Sequence, residues 1–255
     1  MDVHLALYVA IGFVAQLIDG AIGMGYGVIA TTVLVASGMP PAMASAAVHV
    51  TKMPTGIASG LSHWKFRNVD WALCRKLILP GIAGGIVGAS VIAWLPLQIV
   101  RPLAALYLGI MGVLVILRAI RWKGTASFGQ PHGRPGFIGL LGGLFDSFGG
   151  GWGPIVTTSL VMQGREPRYA VGSANAAEPI IAAVQAAVFA VWLGTGTLTT
   201  IGSAAFAIMF GALAGAPVAA FLVNKLPGRL IAGAVGVTLI GVNIPTVLSL
   251  IDRLL

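Results

Sequence analysis

Charge is scarce in this 255-residue sequence: 9% of positions carry it, against roughly 25% in a soluble globular domain. Seven acids and fifteen basic residues are too few to solvate the surface of a soluble fold this long. Cysteine is nearly absent as well. Cys74 stands alone, which excludes an intrachain disulfide, an iron–sulfur set or a zinc set. No Ser-His-Asp arrangement, metal-binding helix or paired-carboxylate pattern is legible, so nothing supports enzyme chemistry and neither metal nor cofactor is expected. The Gly-x-Gly patterns lack the strand–helix alternation that a nucleotide loop requires. What remains is 57% hydrophobic and arranged in long apolar runs. An all-α integral membrane domain with the lipid bilayer as its surroundings is the expectation.

The formal charge of +8 does not point to nucleic acid, because Lys and Arg occupy short breaks between apolar runs instead of one patch. Flanks of membrane spans account for them. The N-terminal "MDVHLALYVAIGFVAQL" has an acid where a signal peptide needs basic residues, and it reads as mature protein.

The chain repeats itself. At a shift of 126, Gly23 to Ala44 aligns with Gly149 to Ala170, with 11 of 22 positions identical, including the Gly-x-Gly-x-Gly of both copies. "GGIVGASV" at Gly84 similarly matches "GALAGAPV" at Gly211. One membrane domain is therefore expected over 1–255, with repeat 1 at about 4–118, a linker at about 119–135 and repeat 2 at about 136–250. Each half holds one glycine-broken segment (4–36, 136–163) and three longer ones (42–62, 73–95, 100–118; 169–193, 198–222, 229–250).

Two topologies are compatible with that pattern. A broken spanning helix in each half makes eight spans and parallel repeats, whereas a re-entrant hairpin in each half makes six spans and inverted repeats. Leaving Lys52 aside, the first divides the basic residues nine against five between the two sides, and the second divides them twelve against two. The positive-inside rule favours the second, an organisation recurrent in secondary transporters.

Most charges lie at segment ends, but Lys52 sits about ten residues from either end of its span. A charge at that depth costs at least about 2.5 kcal/mol and should face a cavity or a partner. His49 lies one turn earlier on the same face, and Pro54 removes a backbone hydrogen bond nearby, as a helix kink would need. The repeat shift carries Lys52 onto Glu178 and His49 onto Asn175. One reading is an ion pair locking the halves. The other is an anion site in which His49 and Lys52 contact substrate, with Glu178 pairing Lys52 or carrying a coupling proton.

The glycine breaks fall near the same depth. A half-helix starting after Gly25 and Gly27, or after Gly151 and Gly153, would present unpaired N–H groups and positive partial charge to an anion. Thr31 and Thr157 could add hydroxyls, or could bond back to their own helices. Asp19 and Asp146 read either as caps of the breaks or as coupling groups. Gly25-Tyr26-Gly27 resembles a potassium filter only in its tripeptide: Gly-Met precedes it, and the second copy reads Gly-Trp-Gly.

The stretch "DGAIGMGYGVIATTVLVASGMPPAMASAAVHVTKMPTGIASGLSHWKFRNVDW", with "PGIAGGIVGASV" after it and "DSFGGGWGPIVTTSLVMQGREPRYAVGSANAAEP" in the second half, resembles the TauE/SafE family of sulfite exporters. The resemblance implies a multi-pass transporter of the bacterial inner membrane, moving a small inorganic or organosulfur anion such as sulfite or sulfoacetate, commonly outward. It leaves open an importer of thiosulfate, sulfate or a carboxylate, a non-transporting membrane scaffold, and assembly as a homo-oligomer. Gly153 is followed by Pro154 where Gly27 is followed by Val28, so the two breaks should differ.

Overall fold

The computed structural model describes residues 3–95, 133–163, 165–194 and 202–222, with single positions at 99, 106, 110, 113, 116, 117, 120 and 240. The expected segments at 100–118 and 229–250, and most of the linker, lie outside the continuously described residues. Among the described residues all regular structure is helical. Four helices come first: α1 (Val3–Ile22), α2 (Tyr26–Ala36), α3 (Pro41–Lys65) and α4 (Trp71–Trp94). After the linker come α5 (Pro135–Asp146), a π-helical turn (Gly153–Thr157), α6 (Thr158–Met162), α7 (Pro167–Leu193) and α8 (Ser203–Leu222).

Local chemistry explains the starts. Pro41, Pro135 and Pro167 each take a first-turn position, where the missing N–H costs nothing. Asp70 caps α4, its Oδ1 accepting from the Ala72 and Leu73 amides at 2.9 and 3.1 Å. The two glycine breaks differ, as the Pro154 substitution implies. After Gly25 the chain enters a regular α-helix at Tyr26, whereas Gly153–Thr157 winds as a π-helix around Pro154, which has no N–H to donate.

Helices α1, α4, α7 and α8 are long and apolar enough to cross a bilayer. They expose large apolar side chains outward, such as Leu79, Trp94 and Val191 at 70–76%, the surface a lipid environment demands. Helix α3 has the length, 25 residues or about 37 Å at 1.5 Å per residue. Its apolar character is diluted because it buries Ser45, His49, Thr51, Lys52, Thr55, Ser59 and His63.

Close glycine packing sets the helix pairs and their directions. Gly12 of α1 lies on Ile208 of α8 and Gly20 lies on Ala219, so α1 and α8 run parallel. Gly139 of α5 lies on Leu77 of α4, and Gly88 further along α4 lies on Leu144; these two are parallel as well. Small residues let such backbones approach closely. Helices α3 and α7 run antiparallel: Ala46 packs with Phe189 near one end, and Gly60 lies on Ala176 toward the other. Helix α3 follows α8, from the core shared by Ala44 and Ala205 to the Phe66–Phe221 ring contact at 5.9 Å. Helix α2 joins α3 through a short loop, and its Tyr26 hydroxyl donates to Thr51 Oγ1 at 2.9 Å. It therefore runs against α3, and so against α1: the chain folds back on itself at Gly23–Gly25.

The tips of the two breaks meet, and their contacts are reciprocal. Thr157 seats its side chain on Gly23, while Thr31 seats on Gly149. Gly27 lies against Gly150, while Gly153 lies against Met24. Each pair maps onto the other at the shift of 126.

Candidate functional site

The meeting point of the breaks is where α3 and α7 cross, and most of the buried charge among the described residues gathers there. Lys52, 3% exposed, reaches from α3 to two carboxylates. Its Nζ donates to Asp146 Oδ1 at 2.9 Å and to Glu178 Oε1 at 2.6 Å. His49, one turn back on α3, places Nε2 at 3.2 Å from Asp146 Oδ2. Its ring leans on Phe189 of α7, with centroids 5.8 Å apart.

The aspartates also hold the breaks. Asp19 Oδ1 accepts from the Tyr26 amide at 3.1 Å, and Asp146 Oδ1 accepts from the Trp152 amide at 3.1 Å. Each carboxylate thus takes the first free N–H of the segment that follows its break, a capping bond made across a gap of six or seven residues. Beyond the caps, Gly27 lies beside the Lys52 ammonium, which brings the backbone of the first break to the cation.

Of the residues singled out from sequence, His49, Lys52, Asp146 and Glu178 form one bonded cluster, with Asp19 close enough to feel its charges. Asn175 is buried beside it but donates to Val171 O at 3.1 Å within its own helix. Thr31 and Thr157 are buried, and their hydroxyls have no hydrogen-bond partner among the described residues; they do not bond back to their helices as Thr51 and Thr55 do. Gly25, Gly27, Gly151 and Gly153 line the two tips. Gly25 holds φ at 138°, a backbone conformation that favours glycine.

Several supporting residues were not anticipated. Ser45 Oγ donates to Ser147 O at 2.6 Å, tying α3 to the second break. Gln185 Nε2 donates to Gly143 O at 3.0 Å and to Ser147 Oγ at 2.8 Å, and Trp152 Nε1 donates to Ala174 O at 3.1 Å. The one sequence cue to this shell was an Asp placed just ahead of each Gly-x-Gly.

An all-helical membrane protein with a buried lysine clamped between acids, where two chain breaks touch, has the makings of a transporter. Comparison with known proteins agrees. The family model described as Sulfite exporter TauE/SafE matches residues 8–245, and the chain belongs to that family of membrane transporters. It is 37% identical over 253 residues to the "Probable membrane transporter protein YtnM" of Bacillus subtilis (strain 168), a match covering 96% of this chain and 83% of that protein. No solved structure matches it significantly.

Proposed function

We propose that the protein is a multi-pass secondary transporter of the bacterial inner membrane that exports a small sulfur oxyanion, such as sulfite or an organosulfonate, by alternating access. The observation that carries this reading is Lys52: a cation buried at the crossing of α3 and α7, within reach of the first break's backbone and beside His49. A pair kept for stability alone would gain little, since replacing buried ion pairs by apolar packing is often neutral or better. A cation next to the backbone of a helix start suits an oxyanion. In this reading the anion takes over one of the two carboxylate positions on Lys52 Nζ, and Thr31 and Thr157 supply hydroxyls. The family's name supports sulfite as the first anion to try.

The test is flux through purified protein in liposomes, with sulfite, sulfoacetate, thiosulfate and sulfate offered separately. Saturable flux of at least one is expected. Wild-type protein that moves none of them would sink the sulfur-anion reading.

The same proposal takes the halves as inverted repeats, each with a re-entrant hairpin. Three findings support it: the antiparallel course of α3 and α7, the corresponding third elements of the two halves; the return of α2 against α1; and the reciprocal tip contacts, which a two-fold relation generates. With parallel repeats, α3 and α7 would share a direction. Cysteine placed at Ser37 or at Gln163 then reacts with an impermeant thiol reagent from opposite sides of the membrane, Gln163 from the cytoplasm. Cys74 is buried and gives little background. Labelling of both positions from one side would refute the inversion.

A further inference from the structure

The hydrogen bonds of His49 define more protons than a neutral imidazole beside a carboxylate can provide. Nδ1 lies 2.7 Å from the Ser45 carbonyl, and a carbonyl oxygen only accepts, so Nδ1 carries hydrogen. The Ser45 hydroxyl, 3.3 Å from the same nitrogen, does not compete as a donor because it gives its proton to Ser147 O at 2.6 Å. In a neutral ring that assignment leaves a lone pair on Nε2. Nε2, however, faces Asp146 Oδ2 at 3.2 Å, and a bare carboxylate has no hydrogen to offer. The contact is attractive only with one further proton in it, as imidazolium facing carboxylate or as imidazole facing carboxylic acid. Both forms of the pair have zero net charge, and both residues are fully buried.

We infer that one proton resides between His49 Nε2 and Asp146 Oδ2 and is a co-substrate, bound and released together with the transported anion. The inference rests on the transport reading above and names its coupling ion. Loss of the proton sets two lone pairs against each other and adds a full negative charge beside Lys52, whose Nζ shares the same Asp146 carboxylate. That charge opposes an anion at Lys52, so anion and proton favour each other's binding, and the linkage is reciprocal. The other charged groups facing the pair are Lys52 on α3, Glu178 on α7 and Asp19 at the end of α1; α2 contributes Tyr26, bonded to Thr51. Asp146 also caps the Trp152 amide, so its bond to His49 is one of three ties between α3 and the second break, beside those of Lys52 Nζ to Asp146 and Ser45 Oγ to Ser147 O. Direction follows the summed gradients: export runs when the anion accumulates inside by more than the opposing pH gradient.

The test uses full-length protein in liposomes, with potassium and valinomycin holding the potential at zero and labelled thiosulfate or labelled sulfite as probe. A proton gradient, acid outside, should drive wild-type accumulation of label by about tenfold per pH unit for one proton per anion. His49→Gln keeps an N–H toward Asp146 but cannot release it. Whatever flux it keeps should hold the inside-to-outside ratio at one under every pH gradient. Wild-type accumulation that ignores the pH gradient, or follows sodium instead, overturns the proposal. So does a His49→Gln protein that accumulates label as wild type does. The proton is also read without transport: infrared difference spectra between acid and alkaline detergent solution should show an imidazole or carboxyl band in wild type that His49→Gln and Asp146→Asn both lack. Identical spectra overturn the assignment even if no anion is found to move.

Discussion

Lys52→Met is expected to abolish anion flux and to destabilise the protein together. Removing the ammonium leaves Asp146 and Glu178 buried with no cation between them, and breaking one side of a buried pair costs about 3–5 kcal/mol. On the proposed reading it also removes a charge-assisted hydrogen bond of about 1.5–3 kcal/mol to the anion, a tenfold to hundredfold loss of affinity. The two effects separate in the double variant Lys52→Met with Glu178→Gln, which deletes an uncompensated carboxylate. Thermal unfolding in detergent should recover part of the lost stability, while flux in liposomes stays absent. Flux near the wild-type level in Lys52→Met would reduce the cluster to a structural lock.

Gly150→Ala should be more damaging still, for purely steric reasons. Its φ of 107° lies in a region that L side chains rarely adopt, and the added methyl would run into the backbone of Gly27 and Val28 at the tip of the other break. Neither neighbour is a flexible side chain that can swing aside. A loss above about 4 kcal/mol is expected, the range reserved for gross packing faults, and the variant should elute as aggregate on size exclusion. Gly38→Ala is the control. Its φ is 98° but nothing lies within 4 Å of the added carbon, so only the backbone penalty of about 1–2 kcal/mol applies. Equal behaviour of the two variants would mean that the tips do not touch as described.

Much of this site was legible in the sequence because the membrane makes polar residues conspicuous. Lys52 in the middle of an apolar run, and Glu178 at the matching place in the second copy, needed no structure to attract notice. The glycine breaks were legible for the same reason. The role of Asp146 was not: whether an aspartate ahead of a break caps the next segment, meets a lysine 94 residues away or does both depends on where the turn directs it, and nothing local specifies that. The unequal lengths of the leading helices were legible too, since the segments expected from residues 4 and 136 begin at different distances ahead of the aligned Gly23 and Gly149. Helix α1 runs 20 residues and α5 only 12, although their glycine motifs align. The direction of α2 depends on a few positive-φ glycines whose dihedrals cannot be deduced from spacing. The supporting bonds of Gln185, Ser45 and Trp152 join residues far apart in the chain, so periodicity within any one helix could not reveal them.

Lys52 and Glu178 are separated by 126 residues, which is the shift of the internal repeat, and so each touches its own counterpart. If the halves descend from two copies of one short chain that paired as a dimer, this position once met itself across the two-fold axis. Two lysines or two glutamates would have repelled there. A lysine facing a glutamate became possible only once the two copies were free to diverge, so the charge pair dates from after the duplication. On that account the ancestral dimer worked with the same residue from both copies at its centre, and the present polarity of the site was acquired as the copies diverged.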